Sequence, residues 1–351
     1  MNETKFSPRQ KKILEIISQK ALTRDQLRLA LGDVYPVSKI TLLRDLNYLL
    51  QCGAIIKSGA GNNVSYSSSE RNSLLGYVDI EAYYKDQESR DKLGSIKFNF
   101  GVFNHLTDLI NPQDLRDYAI SDTKLSGQER KLDPTIFRRE IERFVIEFSW
   151  KSSKIEGNTY SLLETEVLIK QAKEAPGHSK YEAIMILNHK NAIEYILNLR
   201  IKFKRIDVSQ IIDLHKILTK DLEVSYGIRN NPVAISGTNY LPLSAKADIE
   251  KALNTYANTV NKAQNSLDKA LITLACISYI QPFADGNKRT ARVLANAILI
   301  AHDYYPVTFR NVEPTDYLKA LLLFYEKNNL YNLKKILLEQ YGFALQNYFR
   351  S

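Results

Sequence analysis

Cysteine is too scarce for a disulfide framework: the 351 residues hold two, Cys52 and Cys276, far apart in the chain. A reducing cytosol is the expected setting. Long apolar runs are also missing. The most apolar stretches, 270–280 and 293–301, fall well short of the ~20 residues a membrane-spanning helix needs. No membrane partner is expected, and residues 1–12 contain no apolar stretch of signal-peptide length. Low-complexity tracts and internal repeats are absent as well. What remains is an ordinary globular mixture, 44% hydrophobic and 25% charged, in a chain long enough for two or three domains. Its net charge of +9 is uneven. Residues 1–70 carry ten Lys/Arg against six Asp/Glu, a bias that favours an anionic partner for this region.

Residues 1–70 read as three helices followed by a hairpin. Ser7-Pro8 sets a cap and a helix-compatible proline ahead of Ile13, Leu14, Ile16 and Ile17. Thr23 can cap a second helix over 24–31, closed by Gly32. Ser38 can cap a third, whose stripe of Ile40, Leu42, Leu43, Leu46, Leu49 and Leu50 runs to Gly53. Two β-compatible runs, 54–57 and 64–67, flank the Gly-rich loop 58–63. This order resembles a winged helix-turn-helix. The resemblance implies duplex DNA as a partner, with Ser38, Lys39, Thr41 and Arg44 presented to the major groove. A small helical protein-docking module has the same pattern.

Residues 71–134 read as a connecting region with short helices, and the helical period dominates 135–351. Candidate helices cover 137–156, 161–173, 180–203, 208–222, 247–262, 266–279, 288–302, 315–328 and 330–348. The break at 227–244, rich in Gly, Asn and Pro, reads as a hairpin inserted among them.

Chemistry concentrates at Gln281-Pro282-Phe283-Ala284-Asp285-Gly286-Asn287-Lys288-Arg289-Thr290-Ala291-Arg292. Pro282 and Gly286 interrupt a helix, and the next helix starts near Asn287 with its positive dipole end toward the loop. Lys288, Arg289 and Arg292 add cationic donors, and Asp285 is a carboxylate suited to Mg²⁺ that bridges phosphates. A nucleotide polyphosphate satisfies all of these features. The stretch resembles the Fic motif, H-P-F-x-D/E-G-N-G/K-R-x-x-R, at every position but the first. The resemblance implies a helical bundle, ATP and Mg²⁺ as cofactors, and AMP transfer to a hydroxyl of a protein target. It places phosphate contacts on Gly286, Asn287, Lys288, Arg289 and Arg292, the metal on Asp285, and the catalytic base at the position of Gln281. Lysine at 288 matches relatives of the Doc type, which transfer phosphate instead.

A second stretch, Ser152-Ser153-Lys154-Ile155-Glu156-Gly157, resembles the inhibitory S/T-x-x-x-E-G/N motif of many Fic proteins. Ser152 and Glu156, at i,i+4, share a face of a helix spanning 137–157, and Glu156 can pair with Arg292 to exclude an ATP γ-phosphate. By the same resemblance 227–244 is a flap whose Val233, Ala234, Ile235 and Tyr240 offer an edge to the protein target. Glutamine at 281 cannot accept a proton near neutral pH, so nucleotide binding should survive better than turnover. Among the five histidines, His215 is placed nearest the core.

The expected architecture is mainly α: a Fic-type bundle with a β-hairpin flap over 135–351, preceded by an α+β winged helix. It describes a cytosolic, bacterial nucleotide-binding protein that resembles protein adenylyltransferases. The rival is a DNA-binding regulator whose degenerate Fic fold serves as a nucleotide sensor or as the body of a homodimer.

Overall fold

The computed structural model describes residues 6–32, 34–51, 54–60, 63–68, 72–92, 94–121 and 124–349. Gly53, and Gly61 and Asn62 of the expected hairpin loop, lie outside the described residues. The chain divides into two compact units, Met1–Gly94 with Lys327–Asn332, and Ser95–Glu326 with Leu333–Ser351.

In the first unit, α1 (Pro8–Gln19) starts on a capping box between Ser7 and Gln10, and α2 (Arg24–Leu31) on one between Thr23 and Gln26. Helix α3 (Lys39–Gln51) begins where Ser38 Oγ accepts the Thr41 amide at 3.1 Å. Strands β1 (Leu22–Thr23), β2 (Ile55–Ser58) and β3 (Ser65–Ser68) form an antiparallel sheet in the order β1-β3-β2. Ile13, Leu14, Ile17, Leu27, Leu31, Leu42, Leu46, Leu49, Ile55 and Tyr66 make its core. The spacing of these residues is why the elements form: each helix has an apolar stripe that is buried only against the other two and the sheet. Short helices α4 (Ile80–Lys85) and α5 (Gln87–Asp91) follow. The segment 327–332 is tied in through Leu330 N to Leu74 O at 2.6 Å and Asn329 Nδ2 to Gly76 O at 2.7 Å.

The second unit opens with β4 (Ile96–Lys97), α6 (Pro112–Asp117) and α7 (Leu125–Lys131). The helices α8 (Pro134–Ile155), α9 (Leu162–Gln171), α10 (Lys180–Asn198) and α11 (Val208–Leu218) come next. After β5 (Tyr240–Leu241) the chain forms α12 (Lys246–Lys262), α13 (Ser266–Ile280), α14 (Asn287–Ala301), α15 (Pro314–Lys327) and α16 (Tyr331–Asn347). Every residue of α13 is buried and nearly every residue of α14, so this antiparallel pair is the centre of the bundle. Helices α8, α10, α11 and α12 pack around it. No helix among the described residues is long and apolar enough to cross a membrane.

Two helices stop earlier than their apolar period suggests. Helix α11 ends at Leu218 because Asn188 Nδ2 takes the carbonyls of Leu218 and Lys220, and Thr219 Oγ1 that of His215. Helix α10 ends at Asn198 and passes into a tighter 3-10 turn, Arg200–Lys204, which buries Phe203.

The expected hairpin over 227–244 does not form. Its one strand, β5, pairs in parallel with β4, Ile96 opposite Tyr240 and Lys97 opposite Leu241. The reason is a buried side chain. Arg229 donates Nη1 to Asn231 O at 2.6 Å, Nη2 to Leu243 O at 2.5 Å and Nε to Gln281 O at 2.7 Å. Carbonyls from both ends of the segment are thereby gathered onto one guanidinium instead of onto a ladder.

Candidate functional site

Helix α13 ends at Gln281, whose backbone turns left-handed (φ 51°, ψ 58°), and Pro282 cannot extend it. Both ends of the Gln281 amide face inward: Nε2 donates to Ser278 O at 2.6 Å and Oε1 accepts from Asn287 Nδ2 at 2.8 Å. Asn287 also closes the loop, its Oδ1 accepting the Phe283 amide and its Nδ2 donating to the Phe283 carbonyl, each at 2.9 Å. Gly286, at φ 80°, precedes α14. A Cβ there would stand 3.1 Å from Thr219 Cγ2 and 3.4 Å from His215 Cδ2, so conformation and space both require glycine.

No side chain caps the α14 N terminus, whose first amides and positive dipole end are left to an outside acceptor. Arg289 and Arg292 are buried, 2% and 0% exposed. Each keeps a buried Nη1 that has no hydrogen-bond partner. A buried donor left unmatched costs about 1–3 kcal/mol, so each guanidinium has a donor to offer a further acceptor. Asp285 lies beside them, 58% exposed, with Oδ2 2.8 Å from Arg289 Nη2 and Oδ1 accepting the Gly286 amide at 2.6 Å.

Opposite stands Glu156, at the end of α8. Its Oε1 is 2.7 Å from Arg292 Nη2 and its Oε2 3.4 Å from Lys288 Nζ. Arg292 also donates Nε to Ser152 Oγ and Nη2 to Ser152 O, both at 2.9 Å. Burial alone would raise the Glu156 carboxyl, but the charges of Arg292 and Lys288 outweigh it and bring its pKa down to about 2. The folded pKa lies below the ordinary 4.5. Glu156 therefore contributes stability that is fully present above the unfolded value and is lost as pH falls from there toward 2. The contribution is roughly 3 kcal/mol. Urea unfolding of wild type against Glu156→Gln should show a stability gap of that order at neutral pH that closes near pH 2; a gap independent of pH contradicts the assignment.

His215 reaches the loop from α11. Its Nε2 faces Asp285 O at 3.0 Å and its ring stacks on Phe283 at 3.7 Å. Burial pulls its pKa down to about 4, and Nδ1 is enclosed without a partner. Neither nitrogen is open to an acceptor hydroxyl.

Comparison with known proteins bears on the loop. Residues 205–299, which include the loop, match the profile of the Fic/DOC family. These residues match a Fic/DOC domain. It is 28% identical over 189 residues to the protein adenylyltransferase Fic of Nematostella vectensis, covering 52% of this chain and 44% of the relative. It is 26% identical over 231 residues to the enzyme of the same name from Drosophila mojavensis, covering 61% and 45%. The chain thus spans less than half the length of these curated relatives. The fold is similar to that of C. elegans Fic-1, with a TM-score of 0.60 at 16% identity over 98% of this chain and 99% of that one. It is also similar to a Fic-domain signalling protein from Bacteroides thetaiotaomicron, with a TM-score of 0.53 at 19% identity over 66% and 96%.

Within the Fic/DOC domain, the residues assigned to the flap separate. Val233 and Ile235 are half-buried and Ala234 exposed on a stretch without a ladder of its own, whereas Tyr240 is buried, stacked on Tyr279 at 4.7 Å with its hydroxyl donating to Tyr279 O. Tyr240 is a packing residue and not part of an open edge. In the first unit, Ser38 just before α3 and Lys39 and Arg44 on it are exposed, and Thr41 is half-buried with its hydroxyl 2.9 Å from that of Ser38. Ile40 is also exposed there.

Three participants escaped the sequence pattern. Arg229 lies outside any motif and acts through carbonyls at three separate places in the chain, Asn231, Leu243 and Gln281. The Lys288 contact to Glu156 joins two motifs, and only its spacing to Arg292, one turn apart on α14, hints at it. His189, fully buried on α10, lies 2.8 Å from Ser152 Oγ; a lone histidine in an apolar helix gives no such signal.

Proposed function

We propose that the Fic/DOC domain binds ATP with Mg²⁺ and is built to transfer AMP to a hydroxyl of a protein target, with Glu156 holding it off and Gln281 limiting turnover. The observation that carries this reading is the pair of buried guanidinium groups, Arg289 and Arg292, each with an unmatched Nη1 behind an uncapped helix N terminus. Phosphate oxygens satisfy such donors. Gly286 holds the left-handed turn from which α14 starts, and Lys288 adds a cation. Asp285 fits a metal in a particular way. Among the described residues there is no cluster of three His, Cys, Asp or Glu, and one exposed carboxylate completed by phosphate oxygens and water is the usual Mg²⁺ set. When bound there, the ion would neutralise phosphate charge. Relatives named protein adenylyltransferase favour AMP as the transferred group. The open stretch at Val233, Ala234 and Ile235 has backbone groups to offer an extended target segment.

Titration calorimetry tests this reading. Each charge-assisted hydrogen bond is worth about 1.5–3 kcal/mol, so Arg289→Ala should weaken ATP roughly 10- to 100-fold. Equal affinity of wild type and variant, or binding by neither, removes the loop from the argument.

A regulator that senses nucleotide is the second reading. It is favoured by the inward tie of the Gln281 amide and by Ser38, Lys39 and Arg44 exposed at the start and on the surface of α3, in a unit that also holds a small antiparallel sheet. On this reading the first unit binds duplex DNA as a winged helix, and a second copy of the chain supplies the other half-site. Affinity of the full chain for duplex DNA should fall with salt. If Lys39 and Arg44 each contact a phosphate, Lys39→Ala with Arg44→Ala should lower the log–log salt slope by about 2. An unchanged slope, or no DNA binding, points instead to protein docking at Ile40 and Leu43.

A further inference from the structure

Two residues accept hydrogen bonds from Arg292, and only one of them is acidic, while the ring of Tyr317 lies 5.5 Å from the guanidinium carbon. Its Nε donates to Ser152 Oγ and its Nη2 to both Ser152 O and Glu156 Oε1, while Nη1 remains buried and unmatched. Behind Ser152 stands His189, with Nε2 2.8 Å from Ser152 Oγ and Nδ1 2.8 Å from Met185 O and 3.1 Å from Ser153 Oγ. Ser152, Ser153, His189 and Arg292 are all fully buried.

The ends of this chain of contacts set the direction of every proton in it. A backbone carbonyl can only accept, so Nδ1 of His189 carries the hydrogen that Met185 O receives. Burial and the nearby charge of Arg292 keep the imidazole neutral, its pKa down to about 3, so Nε2 is a bare acceptor. The Ser152 hydroxyl must then donate to Nε2. Its oxygen lone pairs are left for Arg292 Nε, which can only donate. With the opposite tautomer, a bare Nδ1 would face Met185 O across 2.8 Å, lone pair against lone pair. Phe148 packs against the imidazole in a T-shaped arrangement, with ring centroids 6.0 Å apart.

We propose that Ser152 and His189 are positioning residues that orient Arg292 toward the terminal phosphate of a bound nucleotide, independently of Glu156. The two groups facing Arg292 from Ser152, a hydroxyl and a carbonyl, are neutral. They fix the guanidinium plane without cancelling its charge. When Glu156 withdraws, this cradle stays, and Nη1 together with the freed capacity of Nη2 is available to an anion. Ser152 therefore belongs to the phosphate-binding machinery as well as to the inhibitory motif in which it lies. The inference rests on the proposed phosphate site of α14.

The test uses the full chain in a Glu156→Gly background and compares ATP with ADP by calorimetry, because ADP lacks the phosphate assigned to Arg292. His189→Leu, which leaves the Ser152 hydroxyl without its acceptor, should weaken ATP about tenfold or more and leave ADP within about twofold. His189→Gln, whose side-chain carbonyl can again accept from Ser152, should recover most of the ATP affinity. If His189→Leu does not fold, Ser152→Ala is read in the same way, and the ¹⁵N shifts of His189 in the unmutated chain should report the Nδ1–H tautomer. Equal losses for ATP and ADP, an unchanged ATP affinity, or an Nε2–H tautomer would overturn the inference while leaving the nucleotide site intact. Binding of neither nucleotide by the Glu156→Gly parent would overturn the site itself and the inference with it.

Discussion

The variant carrying both Glu156→Gly and Gln281→His is expected to label itself from ATP about 10²- to 10⁴-fold faster than wild type, the range that a general base contributes. Two different steps are repaired. Loss of Glu156 frees Arg292 Nη2 and Lys288 Nζ for phosphate. A histidine at 281 can keep one N–H toward Ser278 O, where Gln281 Nε2 now donates, and turn its other nitrogen to the acceptor hydroxyl. Each single variant should fall far short of the double: Glu156→Gly lacks a base, and Gln281→His still faces an occupied Arg292. Label placed on the α-phosphorus reports AMP transfer, and label on the γ-phosphorus reports phosphate transfer, the outcome Lys288 would favour. Wild type labelling as fast as the double variant contradicts the base assignment. A double variant that binds ATP and stays unlabelled gives the sensor reading the lead.

Arg292→Leu should be the most destabilising single change at the site. It leaves Glu156 facing only Lys288 and strips Ser152 Oγ of its donor. Removing one partner of a buried pair costs about 3–5 kcal/mol, because the remaining charge is uncompensated. Replacing both residues, Arg292→Leu with Glu156→Leu, should recover most of that loss, since no orphaned charge remains. Urea midpoints measure both. A loss below about 1 kcal/mol for the single variant would mean that water reaches Glu156 freely.

What could be read from the sequence was local. The caps at Ser7, Thr23 and Ser38, the stop at Gly32 and the break at Gly286 each follow from a few adjacent residues, and the structure places them accordingly. Ser152 and Glu156 fall on one face because i,i+4 spacing dictates it. The failures are all nonlocal. The stretch 227–244 has the glycines and prolines of a hairpin, but Arg229 collects its carbonyls and β5 finds its partner at Ile96–Lys97, far back in the chain. His189 meets Ser152 only because α8 and α10 pack side by side. Such contacts depend on tertiary packing, to which hydrophobic periodicity is blind.

The central claim is that Glu156 and a nucleotide phosphate compete for Arg292, and ATP affinity of wild type against Glu156→Gly measures it most directly. With Arg292 freed to make one further charge-assisted hydrogen bond, calorimetry in the presence of Mg²⁺ should find the variant binding ATP about 10- to 100-fold more tightly than wild type, with ADP affinity changed far less. Equal ATP affinity in the two proteins would show that the Glu156–Arg292 pair is structural only and would contradict the account.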